Sequence, residues 1–122
     1  MTNYQIDCLQ YANWSENIFK EMREGGLDAV HVTIAYHETF RETVLNMEQW
    51  NRWFEQFPSL IFQGTTGADV RLAKETNRTA IFFGFQNPSP IEDDIESQRK
   101  LLFCWSLLLS EHRHLWSLEI LN

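Results

Sequence analysis

Short apolar segments with strand character alternate with segments of helical periodicity along most of the chain. Residues 28–35 and 79–85 are dense in Val, Ile, Ala and Phe and have the length of buried strands. Residues 4–7 are a shorter candidate, and residues 60–62 form a brief apolar run. Parallel neighbours need a crossover connection, and the helical segments between the strands supply one. The alternation therefore predicts an α/β fold built on a parallel sheet.

Three segments between these strands carry helix signals. The first follows Ser15, a predicted N-cap, and ends at Gly25-Gly26. The second spans residues 38–57 and ends before Pro58. The third spans residues 68–76, and its predicted cap is Thr66, with Asp69 three residues further on.

Apolar side chains recur at helical spacing along the second predicted helix. We interpret them as a stripe that faces the core rather than as a ligand site. The stripe consists of Phe40, Val44, Met47, Trp50 or Asn51, and Phe54.

The composition limits the classes of partner. At 122 residues the chain fits one domain, or part of a larger one, and 43% of its residues are hydrophobic, as in ordinary globular proteins. The formal net charge is -7. Binding to nucleic acid needs clustered Lys and Arg, but the ten basic residues form no run. We therefore expect no nucleic-acid partner.

The cysteines and the apolar segments indicate a cytoplasmic protein without a membrane partner. Cys8 and Cys104 show neither a CxxC motif nor the spacing of a zinc site, so we expect free thiols in a reducing compartment. Residues 1–10 carry no positive charge and do not resemble a signal peptide. The apolar block at residues 101–109 is too short to cross a bilayer, which takes about 20 residues.

Polar residues follow two of the strong strands, at the end where parallel α/β proteins place their chemistry. Gln86 and Asn87 follow the strand at residues 79–85, and two prolines then end the segment. Their neutral amides can donate to and accept from a polar ligand. His37 follows the strand at residues 28–35, and we predict that these three residues contact substrate. His31 lies within that strand, and we interpret it as an interior residue.

Three stretches carry a family resemblance: Ile6-Asp7, EMREGGLDAVHVTIAYHETFRETV and TAIFFGFQNPSPIEDDI. Through them, residues 4–95 resemble the amino-terminal third of the membrane dipeptidase (renal dipeptidase) family, closest to a bacterial branch labelled dipeptidase or amidohydrolase. It implies the first three to four β/α units of a (β/α)8 barrel of TIM type. It also implies zinc-dependent hydrolysis of a small peptide, although a carbohydrate or amide hydrolase can share such a barrel.

The family's zinc ligands include an Asp-Gly-His-x-Asp motif after the first strand and a bridging glutamate after the third. In the first motif Leu9 stands in the place of the histidine and Tyr11 in the place of the second aspartate. Gln86 takes the place of the glutamate. We therefore assign no metal ligand and no catalytic residue, and we expect this chain alone to bind no zinc. Tyr11 joins the predicted substrate contacts.

The resemblance divides the chain into residues 1–96, the barrel part, and residues 97–122, an unmatched apolar tail. The tail is consistent with a shifted reading frame or a truncated gene. It contains His112 and His114, and acidic residues 92–94 precede it; we interpret neither group as a metal site. Two functions stay open: a segment of a dipeptidase-like hydrolase, or a non-catalytic fragment that self-associates or binds a partner through an open sheet edge.

Overall fold

The computed structural model describes residues 3–86, which form four parallel strands and three helices. The strands are β1 (Ile6–Gln10), β2 (Ala29–Ala35), β3 (Ile61–Gln63) and β4 (Thr79–Phe85). The helices are α1 (Glu16–Glu24), α2 (Phe40–Gln56) and α3 (Gly67–Thr76). The strand order in the sheet is β1-β2-β4-β3, so β4 lies between β2 and β3. The α/β class and the parallel sheet are thereby confirmed.

Local signals determine where the helices begin and end. The Thr39 hydroxyl accepts a hydrogen bond from the Glu42 N–H at 3.3 Å, and the Glu42 carboxylate accepts one from the Thr39 N–H at 2.9 Å. This capping box satisfies two N–H groups at the start of α2. At the start of α3, the Asp69 carboxylate accepts from the N–H groups of Thr65 and Thr66 at 2.8 and 2.9 Å. Ser15 is the N-cap of α1, but its side chain makes no capping hydrogen bond.

The helices cover both faces of the sheet. From β1 to β2 and on to β3 the chain advances across the sheet, whereas from β3 to β4 it turns back. Because crossovers between parallel strands are right-handed, a reversal moves the connecting helix to the opposite face. Accordingly α1 and α2 pack on one face, and α3 packs on the other.

The two faces carry cores of different size. Alternate residues of β2 and β4 point to opposite faces, as the period of a strand requires. The face under α1 and α2 has a core built on large side chains: Phe19, Met22, Val30, Val32, Ile34, Trp50, Ile61 and Ile81. The face under α3 has a smaller core that consists of Ala29, Val70, Ala73, Ala80 and Phe82.

Polar contacts tie the elements together at the amino edge of the sheet, where β2 and β4 begin. The buried Asp28 carboxylate accepts from the Gln5 N–H at 2.9 Å and lies 3.3 Å from the Lys74 ammonium. The Thr79 hydroxyl donates to the Leu27 carbonyl at 2.8 Å and accepts from the Arg23 guanidinium at 2.9 Å. Burial lowers the pKa of Arg23, and the charge of Asp28 partly offsets that effect.

Several sequence predictions need correction. Strand β1 runs from Ile6 to Gln10 rather than over residues 4–7, because residues 8–10 continue along β2 after an irregularity. On α2, Phe40 and Val44 are about half exposed, whereas Thr43 and Trp50 are buried. At about 100° per residue, Thr43 and Trp50 lie on one line along the helix, and Phe40 and Val44 lie to one side of that line. The predicted stripe is therefore correct only for the later turns.

The structure also differs from the simplest form of the predicted barrel, in which every helix lies outside. Helix α3 occupies the face that a closed barrel would use as its interior. Four strands do not by themselves show a (β/α)8 barrel, which stays a prediction. The division at residue 96, the acidic residues 92–94 and the apolar tail all lie outside the described residues.

Candidate functional site

The carboxyl ends of β1, β2 and β4 meet at one edge of the sheet, and three of the predicted contact residues lie there. Tyr11 follows β1, His37 lies in the turn after β2, and Gln86 follows β4. Asn87, the fourth, lies outside the described residues. The structure thus brings three of the four predicted residues to one end of the sheet; whether they bind substrate stays a prediction.

Gln86 is anchored to the end of β2. Its backbone N–H donates to the Ala35 carbonyl at 3.0 Å, which extends the pairing between β2 and β4 by one residue. Its side-chain Nε2 donates to the Thr33 hydroxyl at 2.9 Å, and Thr33 is only 8% exposed. The amide is therefore held against the sheet, and its carbonyl oxygen is the group that it can offer to a ligand.

His31 lies below this pair, on the same face of β2 as Thr33. Its imidazole fills the space over Gly84 on the neighbouring strand: a Cβ built on Gly84 would come within 1.8 Å of the His31 Nε2. Glycine is needed at position 84 because the imidazole lies so close to the backbone. The half-buried position of His31 agrees with its interpretation as an interior residue.

The turn between β2 and α2 is organised by Glu38. One carboxylate oxygen, Oε2, accepts hydrogen bonds from the N–H groups of Tyr36 and His37, the second at 3.0 Å. Partial burial raises the pKa of Glu38, but hydrogen bonds from the backbone and the charge of His37 together outweigh it, so the pKa lies below its ordinary value. Glu38 is therefore a carboxylate at neutral pH.

Aromatic contacts bring the end of β1 next to this turn. The ring centroids of Tyr11 and Tyr36 are 6.1 Å apart, and those of Tyr36 and His37 are 4.2 Å apart. Tyr11 is 69% exposed, so its ring is accessible to a ligand. Tyr36 thus connects two of the predicted contact residues.

Strand β1 carries a distortion at its carboxyl end. Asp7 pairs with Val30 and Gln10 pairs with Val32, so two residues of β1 lie opposite a single residue of β2. The distortion places Leu9 in the left-handed region, at a φ of 59°. That conformation costs a residue such as leucine about 1–2 kcal/mol, whereas Asn, Asp and His adopt it more readily.

A cleft opens behind this edge, on the face covered by α2. It has a volume of about 170 Å³, and we call it the α2 cleft. Sequence reasoning missed it, because Trp50 was interpreted only as a core residue and the loop before α1 carried no signal. The cleft is lined by Tyr11, Ala12, Trp14, Thr33, Ile34, Glu38, Asn46, Gln49, Trp50 and Trp53.

Comparison with known proteins supports the fold. No protein-family model matches the chain, and a search of the curated proteins finds no match. Among solved structures, the chain is similar to an amidohydrolase from Pseudomonas aeruginosa, with 36% sequence identity and a TM-score of 0.70. The fold of the present chain is therefore amidohydrolase-like. The match covers 76% of this chain but only 29% of that protein, so the chain spans less than a third of its solved relative.

The residues present in this amidohydrolase-like segment do not fit a pair of zinc ions. Leu9 has no donor atom, and the Gln86 amide bonds Thr33 and carries no negative charge. Within residues 3–86, no three His, Cys, Asp or Glu side chains lie close enough together to hold a metal. In the same range, no helix has the length and apolar character needed to cross a membrane.

Proposed function

We propose that the chain is a segment of a dipeptidase-like, metal-dependent hydrolase and that this segment alone does not hydrolyse peptides. The likeness to the Pseudomonas aeruginosa amidohydrolase, at 36% identity over 76% of the chain, carries the proposal. The resemblance to the membrane dipeptidase family limits the proposed reaction to hydrolysis of peptide bonds. Cytoplasmic location and the absence of a nucleic-acid partner stay predictions from the sequence.

The backbone at Leu9 supports the assignment to the dipeptidase family. The family motif puts a histidine at this position, and histidine adopts the left-handed conformation more readily than leucine. A φ of 59° is therefore the geometry that a histidine ligand tolerates and a leucine does not favour. We infer that β1 has kept the shape of a metal site after losing its donor atoms.

The proposed substrate contacts are Gln86, Tyr11, His37 and Asn87. The Gln86 carbonyl oxygen can accept from the N–H of a small peptide, and the exposed Tyr11 ring can pack against an apolar side chain. Gln86 and Asn87 carry neutral amides, so these two contacts can bind and orient a peptide but cannot take up a proton from the attacking water. Zinc chemistry would require donors that these positions lack.

Restoring the donors tests this proposal. The triple variant Leu9→His, Tyr11→Asp, Gln86→Glu places the family's side chains at the carboxyl ends of β1 and β4. We expect zinc affinity to rise at least about tenfold over the unmodified chain. Changing a residue that only supports the ligands of a metal site already alters metal affinity by about 10-fold to 100-fold. The measurement is zinc bound per chain after dialysis, by mass spectrometry, with circular dichroism to confirm folding.

The matched control is Leu45→His with Gln56→Glu. These positions are eleven residues apart on α2, or about 16 Å along the helix, so their side chains cannot share a metal. A folded triple variant that binds no more zinc than this control overturns the proposal. Chelator-sensitive dipeptide hydrolysis by the unmodified chain overturns the proposed lack of activity.

The alternative is a non-catalytic fragment that self-associates or binds a partner through an open sheet edge. Self-association is favoured by large exposed apolar side chains, Leu9 on the edge strand β1 and Phe40, Val44 and Leu45 on α2. Against it, the bulge in β1 disturbs one edge, and β3 offers only three residues at the other. Concentration-dependent sedimentation without bound metal supports this alternative, and a monomer at all concentrations removes it.

A further inference from the structure

The α2 cleft combines aromatic walls with one carboxylate. Trp14, Trp50 and Trp53 line it, with Trp50 in edge-to-face contact with both others at centroid separations of 5.3 and 4.8 Å. Tyr11 and Glu38 lie in the same lining. These contacts hold the indoles in fixed positions, because each ring packs against another and against the buried core around Phe19.

The charge in the cleft has one sign. Glu38 is the carboxylate of the lining, and no lysine or arginine of the described residues lines it. The backbone N–H groups of Tyr36 and His37 both donate to Oε2 of Glu38, so neither of these bonds uses Oε1. Asn46 donates its Nδ2 to the Ile34 carbonyl at 2.9 Å, which makes its Oδ1 the group that it can offer to a ligand. Both side chains can therefore present acceptor oxygens.

We propose that the α2 cleft binds a small organic cation, such as an alkylammonium group. The faces of aromatic rings attract cations, and the attraction is strongest for indole. An anion would meet the Glu38 carboxylate in a lining that holds no lysine or arginine, and a purely apolar ligand would remove water from that carboxylate without replacing its interactions. The volume of about 170 Å³ suits a ligand of a few heavy atoms, since a cavity of about 150 Å³ can hold benzene.

This inference does not rest on the proposed function. The cleft shares Tyr11 with the proposed substrate contacts, but Glu38 and the three indoles, on which this inference depends, are not among those contacts. Its test uses neither zinc nor peptide hydrolysis, so its failure would leave the proposed function standing, and the reverse also holds.

The experiment is a titration of the full 122-residue chain with tetramethylammonium chloride at constant ionic strength. The readout is the NMR chemical shift of the indole N–H groups of Trp14, Trp50 and Trp53, whose signals are assigned by single Trp→Phe replacements. We expect saturable shifts with a dissociation constant on the order of 1 mM. The neutral analogue tert-butanol should bind at least about fivefold more weakly, because it lacks the charge.

Two variants of the lining test the role of charge. Glu38→Gln keeps a carbonyl oxygen for the Tyr36 and His37 N–H groups and should weaken binding about threefold to tenfold. Gln49→Lys adds a positive charge to the lining and should weaken binding at least about tenfold. The matched control is Glu48→Gln, the same change on an exposed residue that pairs with Arg52 outside the cleft, and it should stay within about twofold.

Three results would overturn the proposal. Equal binding of tert-butanol means that the cleft is simply apolar. Equal weakening by Glu38→Gln and Glu48→Gln means that only the net charge of the protein matters. Absence of saturable shifts at the three indoles, in a chain that is folded, means that the cleft does not bind the cation.

Discussion

Polar residues have opposite roles at the two ends of the parallel strands, the amino edge and the carboxyl edge. At the amino edge, Asp28 and Thr79 are buried, and each is bonded to two partners on other elements. At the carboxyl edge, Tyr11 and Gln86 are exposed, and Glu38 bonds only to its own turn. The amino edge therefore holds the elements together, whereas the carboxyl edge has side-chain groups left to offer a ligand. This division is typical of parallel α/β proteins, whose sites lie at the carboxyl ends of strands.

The largest effect on stability is expected from breaking the amino edge. Asp28→Ala removes the acceptor of the Gln5 N–H and the partner of Lys74, and should lower the free energy of unfolding by about 2–3 kcal/mol. The matched change at the other edge, Glu38→Ala, should cost less than about 1 kcal/mol, because water can replace it. Urea denaturation of both variants measures the difference. Equal losses would show that the two edges do not differ.

A smaller loss is expected at Gly84. Gly84→Ala places a methyl group against the His31 imidazole and should cost about 1–2 kcal/mol, the lower part of the range for overpacking, because the three atoms nearest to the methyl all belong to that one ring. His31→Ala in the same chain should relieve most of that cost, and a double-mutant cycle measures the coupling. Additive losses would contradict the contact between these two residues.

A gain in stability is expected at the bulge of β1. Leu9→Gly removes the strain of a left-handed leucine but adds freedom to the unfolded chain and loses the packing of a side chain that is 36% exposed, so the free energy of unfolding should rise by at most about 0.5–1 kcal/mol. Leu45→Gly, in the middle of α2, is the control and should lose about 1 kcal/mol. A loss at Leu9 as large as that at Leu45 would show that position 9 is not strained.

The smallest expected effect is on the loss of stability at acid pH. The N–H groups of residues 36–38 hold the pKa of Glu38 below its ordinary value despite partial burial. Its contribution to stability is therefore present above the unfolded pKa of about 4.3 and is lost as the pH falls through the lower, folded pKa. Between pH 5 and pH 3, Glu38→Gln should lose slightly less stability than the unmodified chain. A steeper loss in the variant would mean that the pKa is raised instead.

Much of the fold could be predicted from local patterns. The strands at residues 28–35 and 79–85 were recognisable because they are buried on both faces and therefore apolar throughout. Strand β1 and the first turns of α2 were harder. Strand β1 is an edge strand, where exposed polar residues cost little, and on α2 the exposed Phe40 and Val44 lie to one side of the line formed by the buried Thr43 and Trp50.

The candidate site was predictable only in part. Tyr11, His37 and Gln86 were placed at one edge by the rule that parallel strands end together, and the structure brings them there. The bond from Gln86 to Thr33 and the packing of His31 on Gly84 depend on the register between β2 and β4, which sequence spacing does not reveal. The α2 cleft forms where β2, α2 and the segment before α1 pack together, so no local sequence pattern predicted it.

Residue type and periodicity along the chain were enough to predict the class of fold and the parallel direction of the strands. Both signals act over a few neighbouring residues. Tertiary structure alone decided the strand order β1-β2-β4-β3 and the side on which α3 packs. Both depend on which apolar faces pack against each other, although the segments are far apart in sequence. Because the hydrophobic effect is non-directional, the residue types alone do not say which of the possible faces a segment will cover.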